Sequence, residues 1–410
     1  MGNKRLLVVT QHFYPENFKI NDLVLGLIDQ GYKVDILCGH PNYPQGEWFD
    51  GYDGKNNALQ DYYGATIYRA REIPRKGNTA LRIFLNYVSW PISSARKAKK
   101  LGEKYDAVLC YNTSPVLMII PAIVAAKHYH CPLITYVLDL WPENLYSVLP
   151  IKNKVLRSIA QNVSNRLYRK SNALITMSQA MRNKLIGRIG SDSPCYVIPQ
   201  HAEDFYSKEI YNSKLASNYT GKSVLLFAGN LSPAQNLDMV IDAIVEAKHK
   251  GFENIFFLIL GDGMSFESLD AQIKDLEASD CVQLYGSVDA REVPGFASFA
   301  DGLILALSPS QDLSLTIPGK LATYMASGKP ILASVDGAPA EVIAEADCGL
   351  ISIPGDKDDL VDTLLEFQTL SPSDKKRMGS NAKSYYGTHF ERESCVKMIA
   401  NAVDQSIVNS

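Results

Sequence analysis

The sequence predicts two doubly wound α/β domains that face each other across a cleft. Three observations lead to this prediction. Short continuous apolar runs alternate with amphipathic segments of helical length, and this β-α-β-α order occurs twice, each time over roughly 180–200 residues, a normal domain length. The balance of charge also reverses between the two halves. Continuous apolar runs indicate strands covered on both faces, which is typical of parallel sheets with crossover helices.

Twelve apolar runs are predicted to be strands, six in each half of the chain. In the first half they are Leu6–Val9, Val34–Cys38, Ala107–Tyr111, Leu133–Leu138, Ala173–Met177 and Tyr196–Ile198, and in the second half Val224–Ala228, Ile255–Leu260, Val282–Tyr285, Leu303–Leu307, Ile331–Ala333 and Leu350–Ile353. Between them, segments such as Leu237–Lys250 and Ser265–Ala278 carry apolar residues every three or four positions, so they predict helices.

Length and charge place the domain boundary near residue 200. The chain has 410 residues, and domains usually have about 100–200. Residues 1–200 hold 25 Lys and Arg against 14 Asp and Glu, whereas the rest holds 16 against 30. We therefore expect an N-terminal domain over 1–200, a linker over 201–217 and a C-terminal domain over 218–385. The last segment, 386–410, is predicted to be a helix that packs back on the N-terminal domain.

Composition excludes several classes of protein. With 46% hydrophobic and 21% charged residues the chain is not mostly disordered. Its 7 cysteines form no CxxC pair, which argues against a disulfide scaffold or a zinc ribbon, and the histidines show no metal-ligand spacing. No GxSxG motif indicates a serine hydrolase. We expect no metal and no other cofactor.

The sequence also predicts a cytoplasmic protein. No secretory signal precedes the first strand, and the apolar segment Val116–Ala126 is too short to span a bilayer. That segment fits either a buried helix or a shallow membrane contact.

Glycines directly follow three predicted strands of the second half. They are Gly229, Gly261 and Gly286, and the first is followed by Asn230 and, farther along the loop, by Gln235. In open α/β sheets ligands bind at the carboxyl ends of the strands, and glycine lets a ligand approach the backbone. These loops therefore predict a ligand site, although an ordinary turn after Val224–Ala228 explains the first glycine equally well.

A helix start with a lysine follows the fourth strand of this half. Pro318 and Gly319 suit the first turn of a helix, Thr316 is a potential cap, and Lys320 adds positive charge to the helix terminus. The diphosphate of a nucleotide fits such a place. The alternative is that Lys320 is a solvated surface lysine.

In the first half, His12 follows the first strand and Asp139 follows Leu133–Leu138, so both are expected at the same edge of the sheet. A histidine can orient a hydroxyl, and a carboxylate can accept its proton, so we predict catalytic roles for both. The structural alternatives are a capped turn for His12 and a helix N-cap for Asp139.

The chain resembles the nucleotide-sugar-dependent glycosyltransferases of family 4, which have the two-domain GT-B architecture. The resemblance runs from Leu6 to about Gly355, and is carried by LLVVTQHFYPE, GYKVDILCGHPNYPQG, VLDLWPEN, VIPQHAEDFY, LLFAGNLSPAQNLDMVIDAI, LILGDGMSFESL, VQLYGSVDAREVPGFASFADGLILALSPS and IPGKLATYMASGKPILASVDGAPAEVI. The segments HPNYPQG, DLWPEN and PGKLATYMASGKPI look most like the branch that builds bacterial capsule, O-antigen and exopolysaccharide. This branch includes transferases of the N-acetylfucosamine type.

The resemblance implies that the C-terminal domain holds the donor. Carried over, Gly229 and Asn230 approach the diphosphate, Gly286 and Val288 flank the nucleobase, and Thr316 to Lys320 meet the phosphates. The family's E-x7-E motif is absent, because its two positions hold Leu315 and Thr323, which leaves Thr323 where the ribose usually binds. Gln235 stands where many members have a phosphate-binding lysine, so Lys320 is expected to supply part of that charge.

The resemblance implies transfer of a sugar from a nucleotide-diphosphate sugar to a lipid-linked glycan in cell-surface polysaccharide synthesis. The donor is expected to be UDP-linked, and the reaction is expected to retain the anomeric configuration without a metal. The alternative is a nucleotide-sugar epimerase or hydrolase on the same architecture. Basic clusters of the first half, including Arg96–Lys100, Lys152–Arg157 and Arg166–Lys170, predict docking on an anionic membrane surface. The competing interpretation is that these charges are solvated helix faces. No nucleic-acid partner is expected.

Overall fold

The computed structural model describes residues 4–43, 46–55, 60–102, 104–148, 153–190, 192–208, 210 and 212–410. The chain divides into two units, of which one comprises Met1–Pro199 with Glu393–Ser410 and the other Gln200–Arg392. Residues 201–217, predicted as a linker, therefore lie within the second unit, where Ala202 is fully buried in a core cluster.

The first unit is built on a nearly parallel sheet. Its strands are β1 (Arg5–Val9), β2 (Lys33–Cys38), β3 (Gln60–Tyr62), β4 (Ala65–Arg69), β5 (Ala107–Asn112), β6 (Leu133–Val137), β7 (Ala173–Thr176) and β8 (Cys195–Val197). Their order in the sheet is β3-β4-β2-β1-β5-β6-β7-β8, and only the β3–β4 pair is antiparallel. The helices between them are α1 (Ile20–Asp29), α2 (Ala80–Ala98), α3 (Ile119–Tyr129), α4 (Glu143–Val148), α5 (Lys154–Tyr168) and α6 (Gln179–Ile189).

The second unit is built on a fully parallel sheet. Its strands are β9 (Ser223–Ala228), β10 (Ile255–Leu260), β11 (Val282–Gly286), β12 (Gly302–Ala306), β13 (Ile331–Ser334) and β14 (Gly349–Ser352), in the order β11-β10-β9-β12-β13-β14. Its helices are α7 (Ser213–Ala216), α8 (Leu237–His249), α9 (Phe266–Asp275), α10 (Val293–Phe299), α11 (Gly319–Ala326), α12 (Ala338–Glu345), α13 (Lys357–Thr369) and α14 (Pro372–His389). Core clusters on the two faces of the sheet bury the apolar runs.

The prediction of two doubly wound α/β domains is confirmed. All twelve predicted strands are present, and none of their ends differs by more than one residue from the prediction. The strands that sequence reasoning missed are β3 and β4, at the edge of the first sheet. Residues in β4 alternate between buried and half-buried, so this edge strand has no continuous apolar run.

The last helix, α15 (Arg392–Val408), belongs to the first unit. Val396 lies against Gly26, where a Cβ atom would come within 2.6 Å of its Cγ2. The Tyr32 hydroxyl donates to Asp404 Oδ1 at 2.5 Å, and Lys4 forms an ion pair with the same carboxylate at 2.9 Å. The helix thus returns to the unit in which the chain begins.

Val116–Ala126 starts as a short 3₁₀ turn and continues into α3, whose Ile119, Ala122 and Ala125 are buried. This favours the buried-helix interpretation of that segment. Among the helices that the structure describes, none is long and apolar enough to cross a membrane.

Candidate functional site

The second sheet has its topological switch point between β9 and β12. From β9 the chain continues to β10 and β11 on one side, and then returns to β12 on the other. Ligands of open α/β sheets bind at the carboxyl ends of the strands at such a point. The loops there are joined by backbone hydrogen bonds: Gly229 N–H donates to Leu260 O at 3.0 Å, and Ser308 N–H donates to Ala234 O at 2.9 Å.

Lys320 lies at this switch point, on the helix that follows β12. Helix α11 begins at Gly319, directly after Pro318, and no side chain caps it. The Lys320 ammonium donates to Oε1 of Gln235 and lies 4.0 Å from the ring centroid of Phe227. Burial lowers the pKa of Lys320 to about 7. No carboxylate pairs with Lys320 among the described residues. The arrangement is therefore a half-buried cation beside uncapped helix N–H groups.

The glycines after β9 and β10 make room for protein atoms. A Cβ atom at Gly229 would lie 2.4 Å from Cε of Lys320, and one at Gly261 would lie 1.9 Å from the carbonyl oxygen of Gly229. The Cβ positions of Gly229 and Gly261 are thus occupied by protein atoms, and the role of both glycines in ligand binding stays a prediction. Gly286 differs, because it has a φ of +93° and no atom within 4 Å of its Cβ position. Gly229 instead allows the Lys320 side chain to cross the end of β9.

The other residues predicted for the donor side differ in their burial and in their hydrogen-bond partners. Thr316 does not cap α11, because it ends a short 3₁₀ turn and its hydroxyl donates to Asp312 O at 3.4 Å. Thr323 is buried, and its hydroxyl donates to Lys320 O at 2.8 Å. Asn230 is exposed, whereas Val288 is half-buried against the core. Thus Gly229, Gln235 and Lys320 meet directly, and Thr323 lies beneath them.

His12 follows β1 and lies in a polar network of the first unit. Its Nδ1 lies 2.9 Å from Oε2 of Glu16, and the other Glu16 oxygen accepts from the backbone N–H groups of Asn42 and Tyr43 at 2.8 and 2.7 Å. Burial alone would raise the pKa of Glu16, but the hydrogen bonds from His12 and from these N–H groups lower it. Because a carboxylate only accepts, Nδ1 carries the proton. The Nε2 atom lies 3.4 Å from Nη2 of Arg75.

Asp139 follows β6, with Leu138 between the end of the strand and the aspartate. Its Oδ2 accepts from the Ser114 hydroxyl at 2.8 Å, and that hydroxyl accepts from Nε1 of Trp141 at 3.0 Å. Burial raises the pKa of Asp139, although hydrogen bonds from Ser114 and Asn144 oppose the shift. A carboxylate that is oriented by a serine and has a raised pKa is suited to accept a proton.

His12 and Asp139 lie at one edge of the first sheet, as predicted. Ser114 follows β5, the neighbour of β1, so this edge includes the β1–β5 switch point. The charges of Arg75 and Asp139 act on the pKa of both Tyr43 and Tyr87, so these four side chains lie close together.

Sequence reasoning missed the buried network behind His12. Oε2 of Glu72 accepts from Nε2 of Gln11 at 2.7 Å and from Nδ2 of Asn86 at 2.9 Å, and Nε of Arg75 donates to Oδ1 of Asn86 at 3.1 Å. Among the described residues, the other Glu72 oxygen has no hydrogen-bond partner. Burial raises the pKa of Glu72 to about 8.

This pKa predicts a dependence of stability on pH. From the ordinary value of 4.5 up to about 8, folded Glu72 keeps a proton that the unfolded chain releases. The free energy of unfolding therefore falls as pH rises through this window, at a limiting slope of about 1.4 kcal/mol per pH unit. Glutamine has no titrating proton, so the variant Glu72→Gln should lack this dependence on pH. Its free energy of unfolding should therefore rise relative to that of the wild type as pH rises.

Urea unfolding at pH 5.5 and 8, followed by tryptophan fluorescence, measures this difference. All 3 tryptophans, Trp48, Trp90 and Trp141, lie in the first unit, so the signal reports the unit that contains Glu72. A stability difference between variant and wild type that is the same at both pH values would contradict the expectation.

Two family models match the chain. Glycosyltransferase Family 4 matches residues 20–201, and Glycosyl transferases group 1 matches residues 210–385. The chain is 22% identical over 360 residues to the 2-deoxystreptamine N-acetyl-D-glucosaminyltransferase of Niallia circulans, and the match covers 86% of this chain and 87% of that protein.

Solved structures share the fold. Sucrose-phosphate synthase from Thermosynechococcus elongatus superposes with a TM-score of 0.78 at 13% identity, over 99% of this chain and 100% of that one. Anabaena HepE, in complex with UDP and glucose, superposes with a TM-score of 0.72 at 15% identity, over 98% and 100%. With both halves matched and both Rossmann-like sheets present, the chain belongs to the GT-B glycosyltransferases.

Proposed function

We propose that this enzyme transfers a sugar from a nucleotide-diphosphate sugar, UDP-linked by preference, to a lipid-linked glycan during cell-surface polysaccharide synthesis. The observation that carries the donor half of this proposal is the Gly229–Gln235–Lys320 cluster at the switch point of the second sheet. It presents a cation beside a helix N-terminus that no side chain caps, and both features are used in phosphate binding. The HepE structure that shares this fold contains UDP and glucose, which supports a nucleotide-sugar donor.

The chemistry we propose proceeds with retention and needs no metal. The leaving diphosphate gains negative charge as the bond to the sugar breaks. Lys320 and the N-terminus of α11 stabilise that charge, as preorganised donors do in other transferases. Asp139 binds the acceptor hydroxyl and accepts its proton, oriented by the hydrogen bond from Ser114.

The donor proposal is tested by following thermal unfolding with a panel of UDP, GDP, ADP and dTDP and with their sugars. A ligand that binds only the folded state raises the midpoint by mass action. We expect one nucleoside diphosphate and its sugars to raise it. No shift with any member would contradict nucleotide-sugar binding, and release or epimerisation of the sugar without an acceptor would contradict the transferase reaction.

We also propose that the first unit docks on an anionic membrane surface. Helix α5 leaves Val155, Leu156 and Ile159 exposed by 66%, 53% and 54%, and Arg157 and Arg166 are exposed on the same helix. Helix α2 exposes Leu81, Phe84 and Ile92, and it packs on α3, which also contacts α5. Exposed apolar residues beside cations are typical of helices that lie in a membrane interface. Lys152 of the predicted basic clusters lies outside the described residues.

Replacing Leu156 and Ile159 with Gln should reduce co-sedimentation with vesicles that contain anionic lipid. Each buried side chain of this size contributes about 1.5–3 kcal/mol, so the double variant should bind at least tenfold more weakly. The control is Ile353→Gln, since Ile353 is 61% exposed in the second unit. Binding that is equal on neutral vesicles, or undiminished at high salt, would contradict electrostatic docking.

A further inference from the structure

Arg75 is held rigidly at the carboxyl edge of the first sheet. Its Nε donates to Oδ1 of Asn86 at 3.1 Å, and its Nη2 lies 3.4 Å from Nε2 of His12. Its guanidinium carbon lies 5.5 Å from the ring centroid of Tyr43 and 5.0 Å from that of Tyr87. Two aromatic rings and a fixed hydrogen bond leave the planar group few orientations. The N–H donors of the guanidinium are therefore fixed in orientation before any ligand binds.

The charge of Arg75 is not neutralised by a carboxylate. No ion pair involves it among the described residues, although Glu72 and Glu16 are both nearby. Glu72 is mostly protonated at neutral pH, because burial raises its pKa to about 8. Glu16 is engaged by His12 and by two backbone N–H groups. Arg75 is therefore a half-buried cation that forms no ion pair with a carboxylate among the described residues, which is unfavourable unless an anion binds there.

This arrangement also gives His12 a second role. With its Nδ1 proton donated to Glu16, the ring offers the lone pair of Nε2 to Arg75. Glu16, His12 and Arg75 thus form a chain in which the carboxylate fixes the histidine and the histidine helps to fix the guanidinium. His12 is then a positioning residue for Arg75.

We infer that Arg75 binds a phosphate group of the acceptor, an inference that rests on the proposed function. Guanidinium groups bind phosphate through two parallel hydrogen bonds, whereas a neutral sugar would leave the charge unpaired. Tyr87 packs edge-on against Trp141 with ring centroids 6.3 Å apart, so aromatic rings line the same edge. Helix α2, which supplies Asn86 and Tyr87, also exposes Leu81 by 67% and Phe84 by 61%, and Phe84 lies one turn before Tyr87. A phosphate attached to an apolar chain matches both features.

The test uses the intact chain with two probes, inorganic pyrophosphate and farnesyl diphosphate, each titrated in the presence of saturating UDP so that Lys320 is occupied. Tryptophan fluorescence is the readout, because all 3 tryptophans lie in the first unit. The variants are Arg75→Gln and Arg75→Lys, and the control is Arg71→Gln, which removes an exposed arginine four residues away.

We expect both probes to bind the wild type. Arg75→Gln should weaken them at least about tenfold and Arg75→Lys should recover part of that loss, since lysine keeps the charge without the fork. Arg71→Gln should match the wild type. Equal binding to Arg75→Gln and wild type, an equal loss in Arg71→Gln, or binding of pyrophosphate without farnesyl diphosphate would overturn the inference.

The affinity for UDP separates this inference from the proposed function. Calorimetry should give the same UDP affinity for the Arg75 variants and the wild type. A wild type that binds UDP but neither probe would contradict the role of Arg75 alone. A wild type that does not bind any nucleoside diphosphate would contradict the proposed donor site as well.

Discussion

Replacing Lys320 with Ala is expected to weaken binding of the nucleoside diphosphate by about 10- to 150-fold. A hydrogen bond to a charged group is worth about 1.5–3 kcal/mol, and Lys320 is the cation at the switch point of the second sheet. Isothermal calorimetry at pH 7 measures the loss. Lys320→Met retains the stem that packs against Gly229 and Phe227, so it separates loss of charge from loss of packing.

The control for this experiment is Lys274→Ala, which removes an exposed lysine of α9 in the same unit. It should bind the nucleotide as the wild type does. Unchanged affinity in both Lys320 variants would contradict a phosphate role for Lys320.

The same lysine predicts a dependence of affinity on pH. Its pKa is lowered to about 7 by burial, so above pH 7.5 the free enzyme holds mostly neutral Lys320, which must gain a proton when the diphosphate binds. Phosphate groups with a second pKa of about 6 are already ionised there. Affinity of the wild type should therefore fall by up to about tenfold per pH unit between pH 7.5 and 9, whereas Lys320→Met should show no such fall. A wild-type affinity that is constant over this range would contradict the lowered pKa.

Asp139→Asn is expected to reduce turnover by at least about 100-fold while the affinity for the nucleotide stays within about twofold. Proton transfer by a positioned side chain typically contributes 10²- to 10⁴-fold, and asparagine keeps the shape but cannot accept the proton. The measurement is steady-state transfer of sugar beside calorimetry with the nucleoside diphosphate. Because burial raises the pKa of Asp139, wild-type activity should fall as pH decreases through that raised value.

Ser114→Ala serves as the matched variant, because it removes the hydrogen bond to Oδ2 and leaves the carboxylate. It should reduce turnover less than Asp139→Asn does. Loss of nucleotide binding in Asp139→Asn, or turnover equal to that of the wild type, would contradict the assignment.

The strands were predictable because each one is a continuous apolar run covered by helices. Helices cover both faces of a parallel sheet, so its strands are apolar on both sides and can be recognised from hydrophobicity alone. The edge pair β3 and β4 lacks the covering on both faces and therefore lacks the pattern. The position of Lys320 was also predictable, because its helix start follows a strand of the sheet.

The network around Arg75 was not predictable from the sequence. Gln11, Glu72 and Asn86 come from three separate segments, and no spacing in the chain signals that they meet. The roles of the glycines depend equally on three-dimensional contacts. Gly229 follows a strand as a ligand-binding glycine would, yet it is the Lys320 side chain that passes over it. Likewise Gln235, which stands in the place of the family's lysine, is the acceptor of the Lys320 ammonium.

The measurement that tests the central claim most directly compares the nucleoside diphosphate with its nucleoside, for example UDP with uridine, on wild type and Lys320→Met. Uridine lacks the diphosphate and Lys320→Met lacks the cation, so the four affinities together give the interaction between these two groups. We predict that wild type binds the diphosphate at least about 10-fold more tightly than the nucleoside. In Lys320→Met most of this preference should disappear while the affinity for the nucleoside is unchanged. A preference of equal size in both proteins would contradict the donor site that we place at Lys320.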